Sequence, residues 1–156
     1  MINRFVLFFT VLTLIFQPFL ASAKTVKTHY TATGKASWYG TFFHGRKTAS
    51  GNVFNKHTYT AAHRSLPFGS LIKVTNLKNG KKVILVVNDR GPVPRDRIVD
   101  VSEKAARDLG FKNQGMTKVK IEYLKEKSRH LAQKAKSKNP IAICNYFVKN
   151  SKIFQH

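Results

Sequence analysis

A small, mainly β barrel is the fold class that this 156-residue sequence predicts, and three observations carry it. Short apolar or alternating runs recur through residues 34–124, turns containing Gly or Pro separate them, and within that span only one short segment has the caps and spacing of a helix. The length leaves room for one domain plus ends, not for two full cores.

The strands are legible in different ways. Residues 71–77 (LIKVTNL) and 82–88 (KVILVVN) flank Asn79-Gly80, a strong hairpin signal. KVILVVN is apolar without alternation, so it reads as a fully buried strand that Gly91-Pro92 ends sharply. In 116–124 (MTKVKIEYL), Val119, Ile121 and Tyr123 alternate with Lys118, Lys120 and Glu122, giving one buried and one wet face. RIVDV (97–101) is a further short strand. The helix falls at 103–109, with Ser102 as N-cap, Gly110 just past its end and Ala105, Ala106 and Leu109 as its apolar face. Residues 24–33 read as a linker or first edge strand. Residues 34–67 are rich in small residues and carry Trp38, Tyr39, Phe42, Phe43 and Phe54, the composition of irregular loops crossing a barrel mouth. Residues 125–156 form a basic C-terminal tail, in which KEKSRHLAQKAKSKN is compatible with a helix and the apolar stretch IAICNYFV follows Pro140.

The N-terminus carries Arg4, an apolar run at 5–16 and Ala-Ser-Ala at 21–23. This is the three-part pattern of a signal peptide, and 12 apolar residues fall short of the roughly 20 that span a bilayer. Residues 1–23 are thus expected to direct export across the inner membrane to the periplasm or cell envelope. No cysteine lies near the cleavage site, so no N-terminal lipid anchor is expected. The net charge is +21, from 28 Lys and Arg against seven Asp and Glu. Alone, that charge suggests nucleic acid, but export and the lack of any nucleic-acid motif argue against it, leaving anionic envelope polymers as charge partners. Cys144 is the only cysteine, so no internal disulfide forms; it reads as a buried small side chain, a free thiol or an intermolecular bridge.

The candidate chemistry centres on Asp89, the first carboxylate in the chain, at the end of a buried strand in VVNDRGP. It can point into a cleft or simply bond its own turn. Arg90 can pair with it or face away. His63, between small residues and a Leu-Pro turn in AAHRSLP, is the second candidate. Metal-ligand spacing, a nucleotide-binding glycine loop and a serine elbow are all absent, so no metal and no cofactor are expected. Among the other acids, Asp96 is expected to pair with Arg95 or Arg97. Glu103, Asp108 and Glu122 are expected at the surface, and Asp96 and Asp100 both stay open as partners for Asp89. One carboxylate plus His63 fits this inventory better than a two-carboxylate hydrolase.

Taken together, GKASWYG, TASGNVFN, TAAHRSLPFGSLIKVTN, NGKKVILVVNDRGP and RIVDVSEKAARDLG, in this order and spacing, resemble the rare lipoprotein A family across residues 34–124. The resemblance implies a six-stranded double-psi β-barrel, barwin- and expansin-like, with a short helix. It implies a monomeric lytic transglycosylase that cleaves between N-acetylmuramic acid and N-acetylglucosamine in peptidoglycan, without water, leaving 1,6-anhydro ends. The family's catalytic aspartate falls on Asp89 and its active-site histidine on His63. Trp38, Tyr39, Ser50, Asn52, Asn88 and Arg90 are the expected substrate contacts, with Trp38 and Tyr39 as sugar-stacking rings unless Trp38 belongs to the core. One position departs from the pattern: Asn52 stands where the family typically has glutamate, and an amide cannot act as an acid. That departure motivates an alternative, an expansin-like module that binds or loosens the wall without cleaving it. The C-terminal SPOR domain found in many relatives is not expected here, and the basic tail is expected either to be a solvated run with its apolar segment packed on the barrel or to hold an anionic surface instead.

Overall fold

The computed structural model describes residues 30–136. The expected signal peptide, residues 24–29, Cys144 and the tail beyond residue 136 lie outside the described residues. Six strands, β1 (Thr31–Trp38), β2 (Thr60–Ala62), β3 (Leu71–Asn76), β4 (Lys82–Asp89), β5 (Arg97–Val101) and β6 (Met116–Tyr123), close into a barrel in the order β1-β5-β2-β4-β3-β6. The β1/β5 and β2/β4 pairs are parallel and the other four antiparallel, a double-psi β-barrel. Closure pairs every strand on both sides and leaves no open edge.

Each strand follows from its side chains. In β6, Val119 and Ile121 are buried while Met116 and Lys118 face water, the expected alternation. β1 starts at Thr31, so the first strand crosses from residues 24–33 into the segment beginning at Gly34. Gly34 itself allows β1 to meet β5, because a Cβ there would come within 2.6 Å of Ile98. The β3–β4 hairpin turns at Asn79-Gly80, with Gly80 at φ 73°. The side-chain amide of Asn79 donates to the Leu109 carbonyl at 3.0 Å and ties this turn to the end of the helix.

Val74, Leu85, Val87, Val99, Val101, Val119 and Ile121 fill the barrel interior. Helix α1 (Glu103–Asp108) packs Ala105 and Ala106 on that core, with Leu109 and Phe111 just beyond it. Its N-cap is Ser102, whose Oγ accepts from the Ala105 N–H at 3.3 Å. The first part of the basic segment is helical: α2 (Lys125–Lys136) lays Leu131 with Leu124 against Leu71 and Val86 on the outside of the barrel. Ser128 Oγ accepts the Leu71 N–H at 2.9 Å and donates to the Leu124 carbonyl at 2.8 Å, which locks that contact. This cover explains why β4 lacks alternation, since Leu85 and Val87 face the core while Val86 faces α2.

Candidate functional site

β2 lies between β4 and β5, and its last residue sets the geometry. Ala62 pairs with Asp89 of β4 on one side and with Asp100 of β5 on the other. The β2/β4 register slips between Ala61, opposite Val87, and Ala62, opposite Asp89. Without that slip Asp89 would continue the inward parity of Leu85 and Val87. The irregularity instead turns it to the side of Ala62 and Asp100, the re-aiming that bulges beside functional sites commonly perform. The chain then leaves through Gly91 at φ 138°, a conformation that favours glycine, with its Cβ position 3.6 Å from the Ala62 methyl. Small Ala62 between two acids leaves a floor rather than a wall.

Asp89 is half-buried and held by three donors. Its Oδ1 accepts the backbone N–H groups of Ala49 and Arg90, both at 2.8 Å, and its Oδ2 accepts the Tyr39 hydroxyl at 3.1 Å. Burial, then the charge of Asp89, its hydrogen bond and the charge of Asp100, push the Tyr39 phenol far above its ordinary value, so it stays protonated. Tyr39 thus orients the carboxylate, a role that its stacking potential in the sequence did not reveal.

Ion pairing separates Asp89 from every other acid. Asp96 pairs with Lys35 at 3.3 Å, Asp100 with Arg97 at 3.6 Å, Asp108 with Lys104 at 3.4 Å, Glu122 with Lys73 at 2.9 Å and Glu126 with Arg129 at 3.8 Å. Glu103 reaches Lys112 at 2.6 Å, Arg107 at 2.9 Å and Lys56 at 3.9 Å. Among the described residues, Asp89 alone has no cationic partner. Two expectations change here. Asp96 pairs across to Lys35 instead of with its neighbours Arg95 and Arg97, because β1 brings Lys35 beside β5. Glu103 is buried at the helix start instead of exposed, because three cations converge on it.

His63 is buried, at 4% exposure. Its Nδ1 accepts the N–H groups of Leu66 at 3.1 Å and Ser65 at 3.3 Å, and its Nε2 lies 3.3 Å from the Tyr30 hydroxyl. An Nδ1 that accepts two amides carries no proton, so the tautomer is Nε2–H. Burial first, then the charges of Arg64 and Arg90, lower its affinity for a second proton. Its backbone N–H bonds the Asp89 carbonyl at 3.2 Å, but among the described residues no side-chain bond joins the two. Arg90 turns away from Asp89. Its guanidinium donates to the carbonyls of His63 at 3.2 Å and Leu66 at 3.0 Å and lies 3.7 Å from the Phe68 ring centroid.

The other expected contacts divide. Asn88 is buried, and its carbonyl accepts the Ser50 N–H at 3.3 Å. Ser50 Oγ bonds Thr48 Oγ1 at 3.0 Å and accepts from the Asn52 amide at 3.2 Å. Ser50, Asn52 and Asn88 therefore brace the loop that presents the Ala49 N–H, while Asn52 itself bonds Ser50 and not Asp89. Trp38 packs against the core and donates from Nε1 to the Lys112 carbonyl at 3.1 Å, so it belongs to the barrel wall. Sequence reasoning missed the Ala49 donor and the group formed by Asp100, Ser37 and Arg97. In that group Ser37 Oγ donates to Asp100 at 2.5 Å and accepts from Arg97. A polar signal did exist in RIVDV, an acid inside a short apolar strand. Among the described residues no three His, Cys, Asp or Glu side chains gather as metal ligands would.

Residues 31–121 match the family described as lytic transglycolase. Over 136 residues the chain is 52% identical to a Rickettsia felis protein named endolytic peptidoglycan transglycosylase RlpA, covering 83% of this chain and 59% of that protein. Over 95 residues it is 57% identical to a protein of the same name from Neisseria meningitidis, covering 61% of this chain and 40% of that one. The chain thus spans 59% and 40% of these two relatives. Among solved structures, the Streptomyces papain inhibitor aligns with a TM-score of 0.50 at 19% identity, over 60% of this chain and 94% of that one, a likeness of fold alone.

Proposed function

We propose that this chain, which belongs to the lytic transglycolase family, cleaves the bond between N-acetylmuramic acid and N-acetylglucosamine in peptidoglycan with Asp89 as its single acid and base. The observation that carries this reading is the ion-pair pattern. In a protein with 28 cationic side chains, Asp89 is the one acid left without a cation among the described residues, yet three donors orient it.

The reaction needs one proton carrier. As the acid, Asp89 gives a proton to the leaving O4 of N-acetylglucosamine as the C1–O4 bond breaks. The muramyl C6 hydroxyl then attacks C1 of its own ring, and Asp89 takes the hydroxyl proton. A 1,6-anhydro end forms, no water is consumed, and the carboxylic acid is restored. Intramolecular attack is fast because the nucleophile is already in place. Oδ1 is occupied by two amide donors, so the travelling proton belongs on Oδ2. There the Tyr39 hydroxyl can turn from donor to acceptor as Asp89 gains and loses the proton. His63 works by position: its ring holds the 63–66 turn, whose His63 and Leu66 carbonyls accept from the Arg90 guanidinium, and the Arg90 backbone N–H in turn holds Asp89. With peptidoglycan as substrate, the protein acts in the cell envelope, where its basic surface also meets anionic polymers.

The test is to incubate residues 24–156 and the Asp89→Asn protein with purified sacculi and to look for 1,6-anhydromuramyl products by mass spectrometry. Products from the parent alone are expected, with the variant down by about 10² to 10⁴. If neither protein gives products while both still bind glycan, the acid/base role is wrong and a non-cleaving, expansin-like module is what remains.

A further inference from the structure

The loop between β1 and β2 continues outward from the Asp89 cleft as an aromatic ladder. Residues 45–54 form a small hairpin. Gly45 N–H bonds the Phe54 carbonyl at 2.9 Å, Phe54 N–H the Arg46 carbonyl at 2.8 Å, and Thr48 N–H the Asn52 carbonyl at 2.8 Å, with a bridge between Lys47 and Val53. Its tip gives the Ala49 N–H to Asp89. At its base the rings run in sequence: buried Phe54 lies 5.0 Å from Tyr39, Tyr39 lies 5.7 Å from Phe43, and Phe43 lies 6.0 Å from Phe42. The second ring of this ladder is the Tyr39 phenol that bonds Asp89. The outer end stands in water, with Phe42 at 72% and Phe43 at 45% exposure. Arg46 lies 3.9 Å from the Phe42 centroid and has no carboxylate partner among the described residues.

Two adjacent exposed phenylalanines on a braced loop are not a folding requirement, since Phe42 could be polar without loss to the core. Adjacent exposed aromatic rings form the kind of apolar patch on which binding sites are built. Its continuity with the cleft identifies the occupant, because a polymer whose scissile bond lies at Asp89 must run its neighbouring sugars over the adjoining surface. Pyranose rings suit such a surface, since their axial C–H faces are apolar and their rims carry hydroxyl and acetamido oxygens. Phenylalanine rings take the faces, and the five N–H donors of a guanidinium take the rim oxygens.

We infer that Phe42, Phe43 and Arg46 form a sugar-binding subsite that seats a residue of the glycan strand beyond the bond being cleaved. The inference rests on the transglycosylase reading for which strand arrives, and on this loop alone for where it binds. The subsite adds affinity without touching the reacting atoms, so it governs KM and leaves kcat nearly alone.

The test uses residues 24–156 carrying Phe42→Ser, whose side chain is already exposed, and separately Arg46→Gln, so that neither change disturbs Tyr39. Anhydro-product formation is measured on long amidase-released glycan strands, and retention on insoluble glycan is measured in parallel. The expected result is a KM about tenfold higher for Phe42→Ser with kcat within twofold, and retention weakened by a similar factor, about 1.4 kcal/mol. Unchanged KM and retention in both variants would overturn the subsite even if the parent is active. A parent that makes no product but loses retention on Phe42→Ser would support the subsite and remove the acid/base role of Asp89. A shift in oligomeric state with glycan affinity intact would assign the rings to a second copy of the chain and overturn the inference.

Discussion

Replacing His63 separates a reacting imidazole from a positioning one. Asparagine can place its Oδ1 near where Nδ1 stands, so His63→Asn keeps an acceptor for the Leu66 N–H that lies 3.1 Å from the ring, while leucine offers none. The Leu66 amide is buried and the Ser65 amide lies next to solvent, so His63→Leu orphans one donor, at a cost of about 1–3 kcal/mol. At about 4–8 °C per kcal/mol for a domain near 100 residues, the leucine protein should melt roughly 4–24 °C below the parent. The turn it loosens supplies both carbonyls that hold Arg90. A shift of about 1 Å at the adjoining Asp89 would cost on the order of 10² in rate. His63→Asn should stay within about tenfold of the parent and give the same anhydro products.

The pH dependence adds a second readout. The native His63 binds its proton less readily than the unfolded ring because burial, Arg64 and Arg90 oppose the charge. The unfolded state therefore holds more protons just below pH 6.5, so this contribution is complete above that pH and is lost as pH falls below it. Melting curves across that range should show the slope in the parent and not in His63→Asn. A His63→Asn protein with parental melting temperature but a rate as low as Asp89→Asn would refute the positioning role, because the imidazole itself would then be reacting.

Two further outcomes follow from the geometry. Tyr39→Phe removes the hydroxyl at 3.1 Å from Asp89 Oδ2 and should lower kcat about tenfold with little change in KM, measured on amidase-released strands. A kcat within twofold of the parent would show that the two amide donors suffice. Glu103→Gln removes the charge on which Lys112, Arg107 and Lys56 converge, and should cost about 1.5–3 kcal/mol in urea unfolding. The hydrogen bond from Lys112 and the other cations hold the Glu103 carboxyl below its ordinary range. Its contribution is therefore present above about pH 4.5 and lost as pH falls below it, and Glu103→Gln should flatten that part of the parent's acid unfolding curve.

Much of the barrel was legible along the chain because strands, turns and caps are local physics. Alternation marked β6, unbroken apolarity marked β4, Asn79-Gly80 marked the hairpin, and Ser102 with Gly110 bracketed α1. The position of Asp89 at a strand end was also local, set by the Asp-Arg-Gly-Pro turn. What local pattern could not carry is which residues meet across long separations. Tyr39 reaches Asp89 over 50 residues, Ser37 reaches Asp100 over 63, and Trp38 reaches Lys112 over 74. Those meetings depend on the strand order β1-β5-β2-β4-β3-β6 and on one slipped register beside Ala62. Pairing partners are chosen by closure of the whole sheet and by the packing of its interior, and no short stretch holds that information. The same assembly brought Lys35 to Asp96, Lys73 to Glu122 and Lys112 to Glu103, while Asp100, Asp108 and Glu126 found cations three or four residues away; Asp89 alone was left with three neutral donors.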